Sequence, residues 1–230
     1  MTTYTGDLRH RYDSLFEDFW QHPFLTELRA GTLGYAPTAF YVGQDHQYLT
    51  AYLRCYGLGL AMSPDREWMR HFIDAGTFLL DDETHPHHVM CRVHGIDYGL
   101  AGHERLAPSA QAYIDHLTAC GRDSLGVLMY ALLPCPWTYG WAARRYLAET
   151  DPAEVAANPF RGWWEFYAGS AAQERLADTL GRCDDLARRA GQDERRRMER
   201  AFELSCRYEI RFWEMAWTQE SWDLAGQPVG

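Results

Sequence analysis

No stretch of the 230-residue chain comes near the 18 or more uninterrupted apolar residues that a membrane span requires. Its opening residues, "MTTYTGDLRHRY", lack the apolar core of a secretory leader. These two absences predict a soluble, cytoplasmic protein. Positive charge is also scarce. Lys and Arg number 22 against 32 Asp and Glu, for a formal charge of −10, and the one basic run, Arg195 to Arg197, is flanked by acids. Binding to phosphates needs clustered cations, so a nucleic-acid partner is excluded and the run reads as a solvated helix face. The six cysteines (55, 91, 120, 135, 183 and 206) form no CxxC pair, and a chain of this length folds without disulfides. They read as reduced thiols.

Sustained period-two alternation is nearly absent, which argues against a β domain. Apolar residues recur instead at helical spacing, as in Leu8, Tyr12, Leu15, Phe16 and Phe19, or Tyr48, Leu49, Tyr52, Leu53 and Tyr56. Helix punctuation divides the chain into about eight helices, near 5–22, 37–61, 64–92, 108–120, 123–133, 137–149, 170–190 and 192–217, with Ser63 as the N-cap of the third. The expectation is an all-α bundle, one domain over residues 1–230.

Three stretches could carry chemistry. In "YVGQDHQYLTAY" the residues Asp45, Tyr48 and Tyr52 fall at i, i+3 and i+7 and so share a helix face; a surface aspartate beside two core tyrosines has the same spacing. In "SCRYEIRFWEMAW" Glu209 lies among bulky apolar groups, either as a salt-bridged surface acid or as a buried, functional one. In "LLPCPWTYGW" Pro134 ends one helix and Pro136 suits the first turn of the next. This places Cys135 near an N-cap, where free backbone N–H groups and the helix dipole would favour the nucleophilic thiolate; negative charge at Asp45 and Glu209 would oppose it. A buried, inert cysteine is the alternative. A fourth stretch, "DDETHPHHVMCRVH", contains Glu83 and His87 at the i, i+4 spacing of metal ligands, but Asp18/His22, Glu67/His71 and Asp81/His85 share that spacing, so the bland reading is a solvated segment interrupted by Pro86.

Together with "HPFLTELRAGTL", "AYIDHL" and "NPFRGWWEFYAG", these stretches resemble the TenA (thiaminase II-like) family of the haem-oxygenase-like all-helical fold; the His-rich segment 85–94 departs from the family pattern. The resemblance implies a hydrolase of thiamine salvage acting on an aminopyrimidine. It implies Cys135 as nucleophile, Glu209 as acid/base, and Asp45 as the carboxylate that holds the ring. Tyr48, Tyr52, Tyr113, Tyr139 and Tyr167 would line the pocket, which accounts for an aromatic content of 14%. No metal or cofactor is needed, and a homotetramer is expected. The rivals are a di-metal oxidase on a related helical fold and a non-catalytic pyrimidine sensor.

Overall fold

The computed structural model describes residues 3–81 and 84–222. Among them lie thirteen α-helices, one turn of 3-10 helix at Tyr98–Leu100, and no strand, as the absence of alternation requires. In chain order the helices are α1 (Tyr4–Arg11), α2 (Asp13–Gln21), α3 (Pro23–Ala30), α4 (Tyr35–Met62), α5 (Arg66–Asp81), α6 (His85–His94), α7 (Pro108–Cys120), α8 (Leu125–Leu132), α9 (Pro134–Glu149), α10 (Pro152–Ala157), α11 (Arg161–Ala168), α12 (Ser170–Arg189) and α13 (Gln192–Thr218).

Several boundaries differ from the sequence reading, each for a local reason. The run expected over 5–22 breaks at Tyr12, whose backbone leaves the helical region (φ −106°, ψ 24°) while its phenol reaches Glu199 Oε1 at 3.1 Å. The run expected over 64–92 is two helices. Asp65, not Ser63, caps α5, its carboxylate accepting the Glu67 and Trp68 N–H groups at 3.0 Å. Pro86 does not interrupt a helix; it occupies the first turn of α6, where a missing N–H costs nothing. The short helices α3, α10 and α11 were not expected. His22 begins α3 by accepting the Phe24 N–H on Nδ1 at 3.2 Å, and Gly31, at φ +71°, ends it in the left-handed conformation that glycine tolerates. Asp151 caps α10 through the Ala153 N–H at 2.8 Å.

Two helices organise the core. Every residue of α8 from Gly126 to Leu132 is buried, because α4, α7, α9, α12 and α13 enclose it. The long α13 packs on α2, α3, α4, α7, α8 and α9 and brings Phe202, Phe212 and Trp213 inside. Trp213 stacks on Phe24 (4.5 Å between centroids) and lies 4.9 Å from the Tyr41 ring; such pairs contribute ~0.5–1.5 kcal/mol beyond the burial of their area. With α13 central, the inward faces of α4, α7, α9 and α11 converge around its middle turns.

Candidate active site

The face of α4 that meets α13 carries Tyr41, Asp45, Tyr48 and Tyr52, all buried. Asp45 is only 5% exposed, so it is the core aspartate rather than the surface one. A buried carboxylate requires partners, and Oδ2 has two: Tyr41 donates to it at 3.1 Å, and His87 Nε2, from α6, lies at 2.6 Å. His87 is itself buried, and its Nδ1 lies 3.2 Å from the Tyr98 hydroxyl.

Across the bundle, Glu209 is 2% exposed on α13 and accepts a hydrogen bond from Tyr113 of α7 at 2.6 Å. Burial lifts its carboxyl from the ordinary 4.5 to about 8; the bond from Tyr113 pulls the other way, and the negative charge of Asp45 adds to the rise. At neutral pH Glu209 therefore holds its proton, as a general acid must.

Cys135 alone among the six cysteines is not buried. The other five thiols are all pushed up, chiefly by burial, Cys55 and Cys120 to about 11. The helix start around Cys135 differs from the expected one. Leu133, not Cys135, is the cap residue, and it stays in the right-handed helical region. Its N–H bonds the Met129 carbonyl and its own carbonyl accepts the Trp137 N–H, so α8 runs into α9 with hardly a break. Pro134 and Pro136 have no N–H to give, and the C-terminal end of α8 offsets the positive end of α9. The row of free donors expected at the thiol is thus mostly absent.

What holds the backbone ahead of Cys135 is Tyr52. In a regular helix the Leu132 carbonyl would accept the N–H of residue 136; with proline there, the Tyr52 hydroxyl donates to it instead, at 2.7 Å. Thr138 likewise returns its hydroxyl to the Pro134 carbonyl at 3.0 Å.

The remaining phenols form the wall between these groups. Burial holds Tyr48, Tyr113 and Tyr139 well above the usual tyrosine range, and negative charge at Cys135 and at Glu209 contributes to the shift in all three. Cys135, Glu209 and Tyr48, Tyr113 and Tyr139 are thus electrostatic neighbours. Tyr139 approaches Tyr41 hydroxyl to hydroxyl at 3.4 Å and meets the Tyr167 ring edge-on at 5.0 Å. Tyr48 is buried beside Tyr113, their ring centroids 5.0 Å apart. A cleft of about 480 Å³ between α5 and α12 reaches this cluster at Tyr56, Pro136 and Tyr167. Cys135, Asp45 and Glu209 are not among its lining residues.

All eight residues singled out from the sequence thus fall in or beside one polar cluster. Tyr41 and His87 belong to it as well and were not anticipated. Glu83, the i, i+4 neighbour of His87, lies outside the described residues; the partner of His87 is Asp45. Two of the other i, i+4 pairs also dissolve, since His22 faces Glu214 and His71 faces Asp178. Among the described residues no three His, Cys, Asp or Glu side chains converge as a metal site would need.

Comparison with known proteins places this geometry. The model of the TENA/THI-4/PQQC family matches residues 8–219. The aminopyrimidine aminohydrolase of Staphylococcus carnosus is 26% identical, over 94% of each chain. That of Bacillus subtilis is also 26% identical, over 90% of this chain and 86% of its own. Among solved structures, a TenA homologue protein from P. horikoshii superposes with a TM-score of 0.82 over 94% of this chain and 99% of its own, at 22% identity. A protein of heme oxygenase-like fold from Shewanella denitrificans does so with a TM-score of 0.69, over 93% and 91%, at 12% identity.

Proposed function

The chain belongs to the TENA/THI-4/PQQC family, and from that membership and the geometry of the cluster we propose that it is an aminopyrimidine hydrolase of thiamine salvage. It converts 4-amino-5-aminomethyl-2-methylpyrimidine to the hydroxymethylpyrimidine and ammonia, cleaves thiamine to the same product, or does both. The observation that carries this reading is the placing of a protonated buried acid, Glu209, and the one cysteine that is not buried around a shared wall of tyrosines. The relatives named as aminopyrimidine aminohydrolases support it.

The chemistry follows from the groups. A flat ring entering past Tyr56 and Tyr167 is gripped by the faces of Tyr48, Tyr113 and Tyr139, and Asp45 holds its amino edge. The Cys135 thiolate adds to the carbon beside a ring nitrogen while Glu209 protonates that nitrogen. The group on the exocyclic methylene then departs, water takes its place, and expulsion of the thiol returns the ring proton to Glu209. No metal or organic cofactor enters these steps. We further propose that the chain forms one domain over residues 1–230 and works in the cytoplasm as a homotetramer.

The test is a panel of thiamine and 5-aminomethylpyrimidines, read by release of thiazole or ammonia. Turnover with loss of activity in Cys135→Ser is expected. Tight pyrimidine binding without turnover would make the protein a sensor and sink the proposal.

A further inference from the structure

His87 is a buried titratable group that the steps above leave without work, and it stands at the head of a continuous chain of polar atoms. Its Nε2 lies 2.6 Å from Asp45 Oδ2, its Nδ1 lies 3.2 Å from the Tyr98 hydroxyl, and that hydroxyl lies 3.1 Å from His46 Nδ1. Burial falls away along the same path. His87 is 1% exposed, whereas Tyr98 and His46 are only partly buried and border solvent.

We propose that His87, Tyr98 and His46 form a proton relay between the Asp45 carboxylate and the protein surface, which exports the proton that the amino edge of the pyrimidine loses when its leaving group departs. This rests on the function proposed above.

Donor and acceptor counting supports a path usable in both directions. With His87 as imidazolium, Nε2–H donates to Asp45 and Nδ1–H donates to the Tyr98 oxygen, which donates in turn to His46 Nδ1. With the excess proton on His46, its Nδ1–H donates to Tyr98, Tyr98 donates to His87 Nδ1, and Nε2–H still donates to Asp45. Every atom keeps a partner in both states. Asp45 loads the relay by giving its proton to Nε2 of a neutral His87 that carries its hydrogen on Nδ1, and each further turnover requires His87 to return to that tautomer once His46 has released its proton. Tyr98, pushed up to about 12 mainly by burial and by Asp45, passes the proton on without ionising.

The groups facing the relay suit transfer outward. Tyr41 and Asp45 of α4 pack on His87, and His88 follows it on α6. His46 is lowered by burial, then by positive charge at His87, with His103 adding to the fall and Asp45 opposing it. It therefore releases to water a proton that it receives.

The balance for an aminomethyl substrate closes on this route. The thiolate adds to the ring, Glu209 gives its proton to the ring nitrogen, and the ammonium substituent departs as ammonia with the bonding pair. A conjugated methylene cation remains, and it becomes neutral by losing an N–H proton to Asp45. Water adds its hydroxide to the methylene carbon and its proton to the same ring edge. Expulsion of the thiolate returns the first proton to Glu209. One proton has left through the amino edge, and ammonia takes one up outside. Asp45 Oδ2 already receives Tyr41 and His87, so unless the proton is passed on the carboxylate is left acid and unable to accept in the next turnover.

Tyr98→Phe removes one hydroxyl from a half-exposed ring, and His46→Gln keeps a polar group that cannot carry a proton. The expected result for each is KM near the parental value, kcat lower by about tenfold or more, and a larger solvent deuterium effect. Free imidazole should restore part of the rate in His46→Ala. Parental kcat with an unchanged pH profile in both variants, or a loss confined to KM, would overturn the relay and leave the hydrolase reading intact. A parent protein that hydrolyses no aminopyrimidine overturns both.

Discussion

Tyr113 donates its phenolic proton to Glu209 across 2.6 Å, which ties α7 to the middle of α13 and fixes the direction in which the acid faces. Glu209→Gln keeps that bond and removes the proton. Turnover should fall by about 10²–10⁴-fold while pyrimidine binding persists. A variant with near-parental turnover at every pH would take Glu209 out of the mechanism.

The same acid couples stability to pH. Its folded value of about 8 lies above the ordinary 4.5, so between these limits the folded state retains a proton that the unfolded chain has lost. This contribution to stability is full below about pH 4.5 and is lost as pH rises through 8, by up to ~1.4 kcal/mol per pH unit. Urea unfolding at pH 5 and at pH 8 should show the decline in the parent and a flatter profile in Glu209→Gln. Equal slopes in the two proteins would contradict it.

Limiting iodoacetamide should modify Cys135 first, because the other five thiols are buried and pushed up. A bound pyrimidine should protect it, and Cys135→Ser should fold normally and lose nearly all hydrolysis. Peptide mapping that finds the first label elsewhere would identify Cys135 as a packing residue.

Tyr52→Phe tests the support beneath Cys135. The Leu132 carbonyl would lose the donor that replaces the missing N–H of Pro136, and an unsatisfied buried acceptor costs ~1–3 kcal/mol. The midpoint of thermal unfolding should fall and kcat should fall with it. Unchanged kcat in the variant would mean that Cys135 keeps its place without Tyr52.

Light scattering at micromolar concentration should return four times the 26.6 kDa chain mass. A monomer mass would rule out the proposed assembly.

The helical character of the chain was legible because periodicity records which face of a helix is buried, and Asp45, Tyr48 and Tyr52 do share one. Short helices were less so: α10 and α11 carry too few turns for a period to emerge, and the start of α10 depends on a single cap, Asp151. His87 could not have been paired from sequence. It lies 42 residues from Asp45, and the spacing rule that draws attention to it points to a near neighbour in the chain, whereas its partner is on another helix. Proline does mark the boundary between α8 and α9, with Cys135 in the first turn of α9; the sequence did not show that the cap falls at Leu133 or that Tyr52 and Thr138 supply bonds across the junction.

Glu209 rides on α13, the last helix of the described chain, while Asp45 comes from α4, and Tyr113 and Cys135 lie between them. During synthesis from the N-terminal end, Cys135, Asp45 and most of the aromatic wall therefore emerge before Glu209. Until α13 docks, α8 lacks one of the surfaces that bury it, and Tyr113 lacks the carboxylate it serves. Closing the site is thus the same event as completing the core, and its loop-closure entropy is spent at the end of folding. A ribosome-tethered chain short of α13 holds the Cys135 thiol without Glu209, so the polar cluster and the finished fold arrive together.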